Sequence, residues 1–408
     1  MRWLRYWRLK FRRRVLRPLR HWDSILERFV TDILYDRRRS IVIFFCGFLL
    51  FLLSIPFRWM SALRRFAYAK NIFHSHCLGC LVIAVGNLTV GGTGKTPVVE
   101  MLARELLRRG RKVAILSRGY RSRSDSFLGH RLQKFFRKKS PPPRVVSDGK
   151  SVLLDSAEAG DEPFMLATNL PGVAVLVGRN RVFSGQWAIR KFGCDTLILD
   201  DGFQHLRLKS HLNLLLIDKG NPFGNGHLLP RGILREPPVE LRRASHVLLT
   251  KSDGNADEAL ECILRRHLGK GRPVLECRHA SRHLCGIHSG EKISVGALQG
   301  KRIAVFSGIA APESFEAFFE NCGATLVHRR RFPDHYRFTE NDLVYIFERA
   351  QTLGAEWVVT TEKDAARLTP GWFYPLPIYF LRIEIEILRG MEDFQRLIDR
   401  ICSPGTGV

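Results

Sequence analysis

This sequence is short of acid relative to base. Its 408 residues include 39 Asp and Glu against 65 Lys and Arg, a formal charge of +26. A chain so unbalanced calls for an anionic partner: nucleic acid, an anionic membrane surface or a phosphorylated substrate. A paired cysteine set is missing too. Nine cysteines are scattered from Cys46 to Cys402 with no secretory cleavage signal ahead of them, which argues against a disulfide framework and for a reducing, cytosol-facing location. His74, His76, Cys77 and Cys80 form the one cluster of zinc or redox character. No second Cys/His pair stands at zinc-ribbon spacing, so the cluster reads as the lead into a buried strand. Internal repeats and extended low-complexity tracts are absent as well. What remains is a globular chain long enough for two compact units and an extension.

The first segment, 1–40, is rich in arginine and sets Trp3, Trp7, Phe11, Val15, Leu19 and Trp22 at helical spacing. A basic amphipathic helix on an anionic bilayer has this pattern; Pro18 kinks any long helix here. An apolar run follows from Ile41 to Phe57, with arginines at both ends: Arg37 to Arg39, then Arg58, Arg64 and Arg65. Basic flanks on both sides give no inside and outside. We therefore read 41–70 as a membrane-associated helix set into one leaflet, its arginines reaching to headgroups, rather than as a full span.

From Leu81 the pattern alternates strand and helix: Leu81–Val85, then Thr96–Arg109 as a helix, then Lys112–Leu116. Further strands are expected at Val173–Val177, Thr196–Leu199, Leu212–Ile217 and Val247–Leu249. This is the rhythm of a parallel α/β sheet. A basic stretch ending in Pro141–Pro143 reads as a surface insertion over 122–143. Near Gly296 a smaller α/β unit begins, with strands at Arg302–Phe306, Thr325–Arg329 and Trp357–Val359 and a helix at Ser314–Asn321. The expected organisation is thus a larger parallel-sheet domain of P-loop type over 71–290, its loop lying between the first strand and the first helix, and a smaller α/β C-terminal domain over 291–408.

The strongest chemical signal lies between the first strand and the first helix, where Gly91-Gly92-Thr93-Gly94-Lys95-Thr96 precedes Pro97. Glycines let the backbone fold its N–H groups around phosphates, and the helix N-terminus adds partial positive charge. Lys95 is placed to reach the β- and γ-phosphates of ATP and Thr96 to bind Mg²⁺. The full P-loop consensus wants glycine where Thr89 stands. A P-loop also needs an acidic partner for its metal, and Asp200-Asp201 ends the apolar strand Thr196–Leu199 as a Walker B acid does.

Leu199-Asp200-Asp201-Gly202-Phe203-Gln204-His205 resembles the acidic signature of the lipid A 4'-kinase (tetraacyldisaccharide 4'-kinase) family, and the P-loop with its Pro97 resembles theirs as well. In family order come Leu116-Ser117-Arg118-Gly119-Tyr120, Gly160-Asp161-Glu162-Pro163, Phe223-Gly224-Asn225-Gly226, Leu234-Arg235-Glu236-Pro237, Phe332-Pro333-Asp334-His335 and Thr361-Glu362-Lys363-Asp364. Each is weak alone; the ordered set, over about residues 41 to 370, is specific. The resemblance implies transfer of the ATP γ-phosphate to the 4'-hydroxyl of a tetraacylated glucosamine disaccharide 1-phosphate. It places the enzyme at the cytoplasmic face of the inner membrane, peripheral or monotopic. It implies Thr96, Asp200, Asp201 and Glu236 around Mg²⁺, and Arg118, Gln204 and His205 lining the site. Asp161 and His335 become the acid–base pair, with Lys95 on the phosphates.

Two other readings compete. Thr250-Lys251-Ser252-Asp253 after a strand looks like the element with which GTPase switches and metallochaperones read guanine. The charge alone would suit a nucleic-acid-binding ATPase, but many of the basic residues flank apolar or Trp-rich segments, which suits lipid. No nucleic-acid partner is expected.

Overall fold

The computed structural model describes residues 30–34, 36, 40–119, 142–269, 271–368 and 374–403. Most of the 1–40 extension and of the 122–143 insertion lies outside them, as does Tyr120.

The apolar run becomes one helix, α1 (Ile41–Ala69), which continues well past Phe57 and takes Pro56 into its interior. Its 29 residues span roughly 43 Å at the α-helical rise. Only Gly47, Ser54 and Ala67 are buried on it; Ile41, Phe44, Phe45, Phe48, Leu49, Trp59 and Leu63 all stand more than half exposed.

The chain then builds a single mixed sheet. Its strands are β1 (Leu81–Asn87), β2 (Val113–Ser117), β3 (Arg144–Asp148), β4 (Ala174–Val177), β5 (Thr196–Asp200), β6 (Leu212–Asp218) and β7 (His246–Thr250). They continue with β8 (Val274–Gly286), β9 (Lys292–Ser294), β10 (Arg302–Ser307), β11 (Thr325–Arg331), β12 (Trp357–Thr361) and β13 (Ile378–Arg389). Across the sheet the order is β11-β10-β12-β13-β8-β7-β6-β1-β5-β2-β4-β3, with β9 paired to β8. The principal helices after α1 are α2 (Lys95–Arg108), α3 (Asp161–Asn169), α4 (Arg181–Phe192), α5 (Glu258–Leu268), α6 (Pro312–Asn321), α7 (Glu340–Thr352) and α8 (Met391–Cys402).

β1, β2, β4 and β5 are buried at every position, as strands of a parallel sheet covered on both faces must be. α2 explains one cover: Val98, Val99, Leu102, Ala103 and Leu106 recur at three and four residues and are fully buried against Ile83, Val85 and Ile115. β1 lies between β5 and β6, parallel to both. The P-loop and the paired aspartates therefore leave adjacent strands at the same sheet edge, where α/β proteins bind ligands.

The two expected α/β units share this sheet. β8 and β13 form a long antiparallel ribbon, from Tyr379 opposite Gly286 to Arg389 opposite Glu276, that joins them. The 291–408 segment also crosses its expected boundary at the far end. Phe394, Leu397, Ile398 and Ile401 of α8 return to the core built by β1, β2 and α2.

Candidate active site

Between β1 and α2 the loop turns through Gly91 at φ +120° and Gly94 at φ +75°. The second ends the loop as the left-handed N-cap of α2, a conformation open to glycine. Lys95 bends back so that Nζ lies 3.2 Å from Asn87 Oδ1 and 3.4 Å from Asp201 Oδ1. Thr96 is buried at the first turn, and Thr93 Oγ1 is buried without a partner.

Asp200 and Asp201 leave β5 in different states. Asp200 is 5% exposed and accepts from Ser117 Oγ at 3.0 Å; burial, with the charges of Glu162 and Asp201, pushes its pKa up to about 6. Asp201 adopts a left-handed backbone, φ +55°. Burial alone would raise its pKa too, but Lys95 and Arg235 outweigh that and hold it below the ordinary value. Arg235 donates to both its oxygens, at 3.0 and 2.8 Å. The next turn is tight because Gly86 has no side chain: a Cβ there would stand 2.6 Å from Phe203 Cβ.

Asp200 is buried, while Asp201 and Glu162 are partly exposed near Lys95 and have Arg235 and Lys363 as further partners; Asp200 is the carboxylate whose charge a cation would relieve. The described residues contain no group of three or more His, Cys, Asp or Glu able to hold a metal alone. Mg²⁺, the expected cation, is usually held by one or two carboxylates and completed by substrate phosphates and water.

Asp161 opens α3 and meets His335 across the chain, Oδ2 to Nδ1 at 3.1 Å. Burial favours its neutral form, but His335, Arg367 and Arg337 outweigh that and lower its pKa. Arg367, fully buried, holds Asp161 Oδ2 at 2.8 Å and Asp364 Oδ1 at 2.8 Å. Beside this pair Lys363 meets Glu162 at 3.0 Å. The structure brings Asp161 and His335 together in the apposed position of the two units, with His335 itself in a left-handed conformation, φ +62°.

Gln204, Glu236 and His205 lie on the α1 side. Gln204 Nε2 donates to Asn87 O at 2.9 Å, while the backbone carbonyl of Gln204 accepts from Arg64 Nη2 of α1 at 2.9 Å. Glu236 is engaged by Arg65 at 3.5 Å, by Gln204 at 3.4 Å and by Arg243. Both its oxygens have partners, so Glu236 as placed here seats α1. His205 is half-buried with its Nε2 enclosed and unpartnered, and desolvation together with Arg181, Arg64, Arg207 and Arg118 lowers its pKa to about 4. Arg118 itself is exposed just beyond β2.

Two residues escaped sequence reasoning. Arg235 is the bidentate partner of Asp201, and its only sequence signal is its place in the Leu234–Pro237 motif. Arg181 is 5% exposed and donates to Asp200 O at 3.2 Å and to Gly178 O at 2.5 Å; burial lowers its pKa to about 10. The guanine-reading element fares poorly. Asp253 is held by Lys219 at 3.1 Å and by Asn255 Nδ2 at 2.7 Å, which lowers its pKa to about 2 and leaves it engaged rather than offered to a base. The His74–Cys80 cluster ends with Cys80 buried at the head of β1, its thiol pushed up to about 11 by burial.

Comparison with known proteins gives a consistent result. The family model described as tetraacyldisaccharide-1-P 4'-kinase matches residues 46–403. A tetraacyldisaccharide 4'-kinase of Anaeromyxobacter dehalogenans (strain 2CP-C) is 44% identical over 349 residues, 84% of this chain and 87% of the relative. One from Syntrophus aciditrophicus is 39% identical over 365 residues, covering 88% and 93%. Among solved structures, LpxK from Aquifex aeolicus in complex with ATP is 30% identical, with a TM-score of 0.66, covering 86% of this chain and 98% of that one.

Proposed function

Because this chain belongs to the tetraacyldisaccharide-1-P 4'-kinase family and is an ATP-dependent kinase of the lipid A precursor, we propose that the P-loop, Asp200–Asp201 and the Asp161–His335 pair share its chemistry as follows. Lys95 and the Gly91–Gly94 backbone hold the nucleotide's phosphates. Thr96 and Asp200 hold Mg²⁺, with Asp201 beside them fixed by Arg235. Bound there, the ion would supply positive charge to the transferring phosphates. Lys95, released from Asp201 once nucleotide arrives, supplies the matching positive charge.

The acceptor is the 4'-hydroxyl of an acylated disaccharide phosphate, a poor acid that needs a base within hydrogen-bonding reach. With Asp161 ionised and bonded to His335 Nδ1, the tautomer protonated at Nδ1 leaves the lone pair on Nε2 to take that proton, and Asp161 then balances the imidazolium. Arg367 keeps Asp161 oriented. Arg118 and His205 line the acceptor side, where the surrounding guanidiniums keep His205 neutral.

The observation that carries the membrane part is how α1 is mounted. Gly47 lies against Arg231, Phe51 edge-on to His227, Arg64 on Gln204, and Arg65 on Glu236 and Glu240. A helix fixed to a folded body from residue 47 to 65 lies along that body rather than projecting through a bilayer. Its exposed apolar face then enters one leaflet, on the cytoplasmic side where ATP is available. The test is incubation of purified protein with labelled ATP and a panel of glycolipids. A 4'-phosphorylated disaccharide is the expected product, lost in Lys95→Ala and Thr96→Ala while vesicle binding persists. Undiminished transfer by either variant would remove the P-loop assignment.

A further inference from the structure

One side chain leans on the P-loop without belonging to any motif. A Cβ on Gly94 would stand 2.5 Å from His279 Nε2 and 3.0 Å from its Cε1, so the imidazole rests directly against the loop's last glycine. His279 belongs to β8, opposite Ile385 of β13. Neighbouring β7 braces the same loop, with Thr250 Oγ1 donating to Thr93 O at 2.9 Å. The end of β7 and the middle of β8 therefore form one wall of the phosphate loop.

That wall is left chemically unfinished. His279 Nε2 is buried with no hydrogen-bond partner, and so is Thr93 Oγ1 on the loop itself. Orphaned buried polar atoms are few in native proteins and mark positions where a ligand completes the bonding. Lys251, beside this wall, has a left-handed backbone at φ +54°, and its Nζ is fixed on Asp218 Oδ2 at 2.5 Å. The lysine is thereby held off the loop, and the imidazole is the donor that faces it. Burial, reinforced by the Lys251 charge and opposed by Asp218, keeps the ring neutral; a neutral ring with its proton on Nε2 is a donor.

P-loop backbone cradles the α- and β-phosphates, so a donor seated on Gly94 borders the part of the nucleotide that is not transferred. We propose that His279 is a nucleotide-positioning residue, whose Nε2–H donates to an α- or β-phosphate oxygen and fixes the register of the triphosphate on the loop. The inference rests on the P-loop reading of the site and extends it to β8. It concerns phosphates that ADP also carries, so it is measurable without turnover.

The test compares His279→Ala, His279→Phe and His279→Gln in the full-length protein, by calorimetric titration with Mg-ADP and by steady-state KM for ATP and for lipid. Phenylalanine keeps the ring's volume without a donor; glutamine keeps a nitrogen donor at similar reach. Loss of a hydrogen bond to a charged group predicts roughly tenfold weaker ADP binding for the Ala and Phe variants. KM for ATP should rise in step, KM for lipid should stay unmoved, and the Gln variant should recover to within about threefold of wild type. ADP binding by His279→Phe as tight as wild type would overturn the proposal and leave the ring a packing brace. Wild-type ADP affinity in Lys95→Ala would instead sink the P-loop reading, and this inference with it.

Discussion

Asp200 is held against its own charge. Its pKa of about 6 lies above that of an unfolded aspartate, so the folded protein binds this proton more tightly than the unfolded chain. That stabilisation is complete below the unfolded value and is lost as pH rises through about 6. Near neutral pH the ionised carboxylate therefore weakens the nucleotide-free fold. Asp200→Asn should raise Tm without ligand by about 2–4 °C while abolishing transfer; calorimetry showing an unchanged or lower Tm would refute the buried-charge account. In the wild type, protons compete with the cation, so the Mg²⁺ concentration for half-maximal rate should climb as pH falls through about 6. For Asp161 and His335, 3.1 Å apart, single substitutions should each lower kcat by roughly 10²–10⁴. The double variant should cost little more than the worse single; multiplicative losses in rapid-quench assays would show separate roles. Sequence marked both residues through their motifs. It gave no mark to Arg181, and to Arg235 only a place in the Leu234–Pro237 motif, because one guanidinium among 65 basic residues gains meaning only from the carboxylate or carbonyl it meets in space.

At the level of elements, continuous apolar runs such as Leu81–Val85 and Thr196–Leu199 were legible because parallel strands covered on both faces have no polar positions. β8 and β13 were not. Their residues mix Arg, His and Glu with apolar ones, since the ribbon buries one face more than the other, and their pairing joins segments about a hundred residues apart. α1 was legible over 41–70, but Arg64 and Arg65, read there as reaching to headgroups, gave no sign that the later turns pack on Gln204, Glu236 and Glu240. Removing α1 outright would strand those two buried acids, so point charges on its outer face are the better probe. Phe44→Asp with Phe48→Asp should release the protein from vesicles and raise KM for lipid far more than for ATP. Unchanged sedimentation with vesicles would refute the one-leaflet placement. Arg65→Ala should instead lower Tm, since it leaves Glu236 and Glu240 to Arg243 and, at 3.8 Å from Glu240, Arg242.

At the scale of the molecule, the two α/β units are bound by a buried ionic knot as well as by the shared sheet. Arg382 of β13 reaches Glu100 of α2 and, at 2.6 Å, Glu362 of the C-terminal unit; Asn169 Nδ2 bonds Glu362 at 2.6 Å. Breaking a buried pair by removing one partner costs about 3–5 kcal/mol. Arg382→Ala should therefore lower stability by that amount in chemical denaturation, and a loss below about 1 kcal/mol would show that water enters the knot. On the proposed mounting, the bare outer face of α1 also changes the dimensionality of the encounter. An enzyme laid flat on lipid searches an area, not a volume, so the concentration it senses is the mole fraction of acceptor among its lipid neighbours. Diluting the acceptor with inert lipid, at constant total acceptor, should slow turnover as bulk solution theory does not allow; once all enzyme is bound, adding more vesicles of the same composition should leave it unchanged.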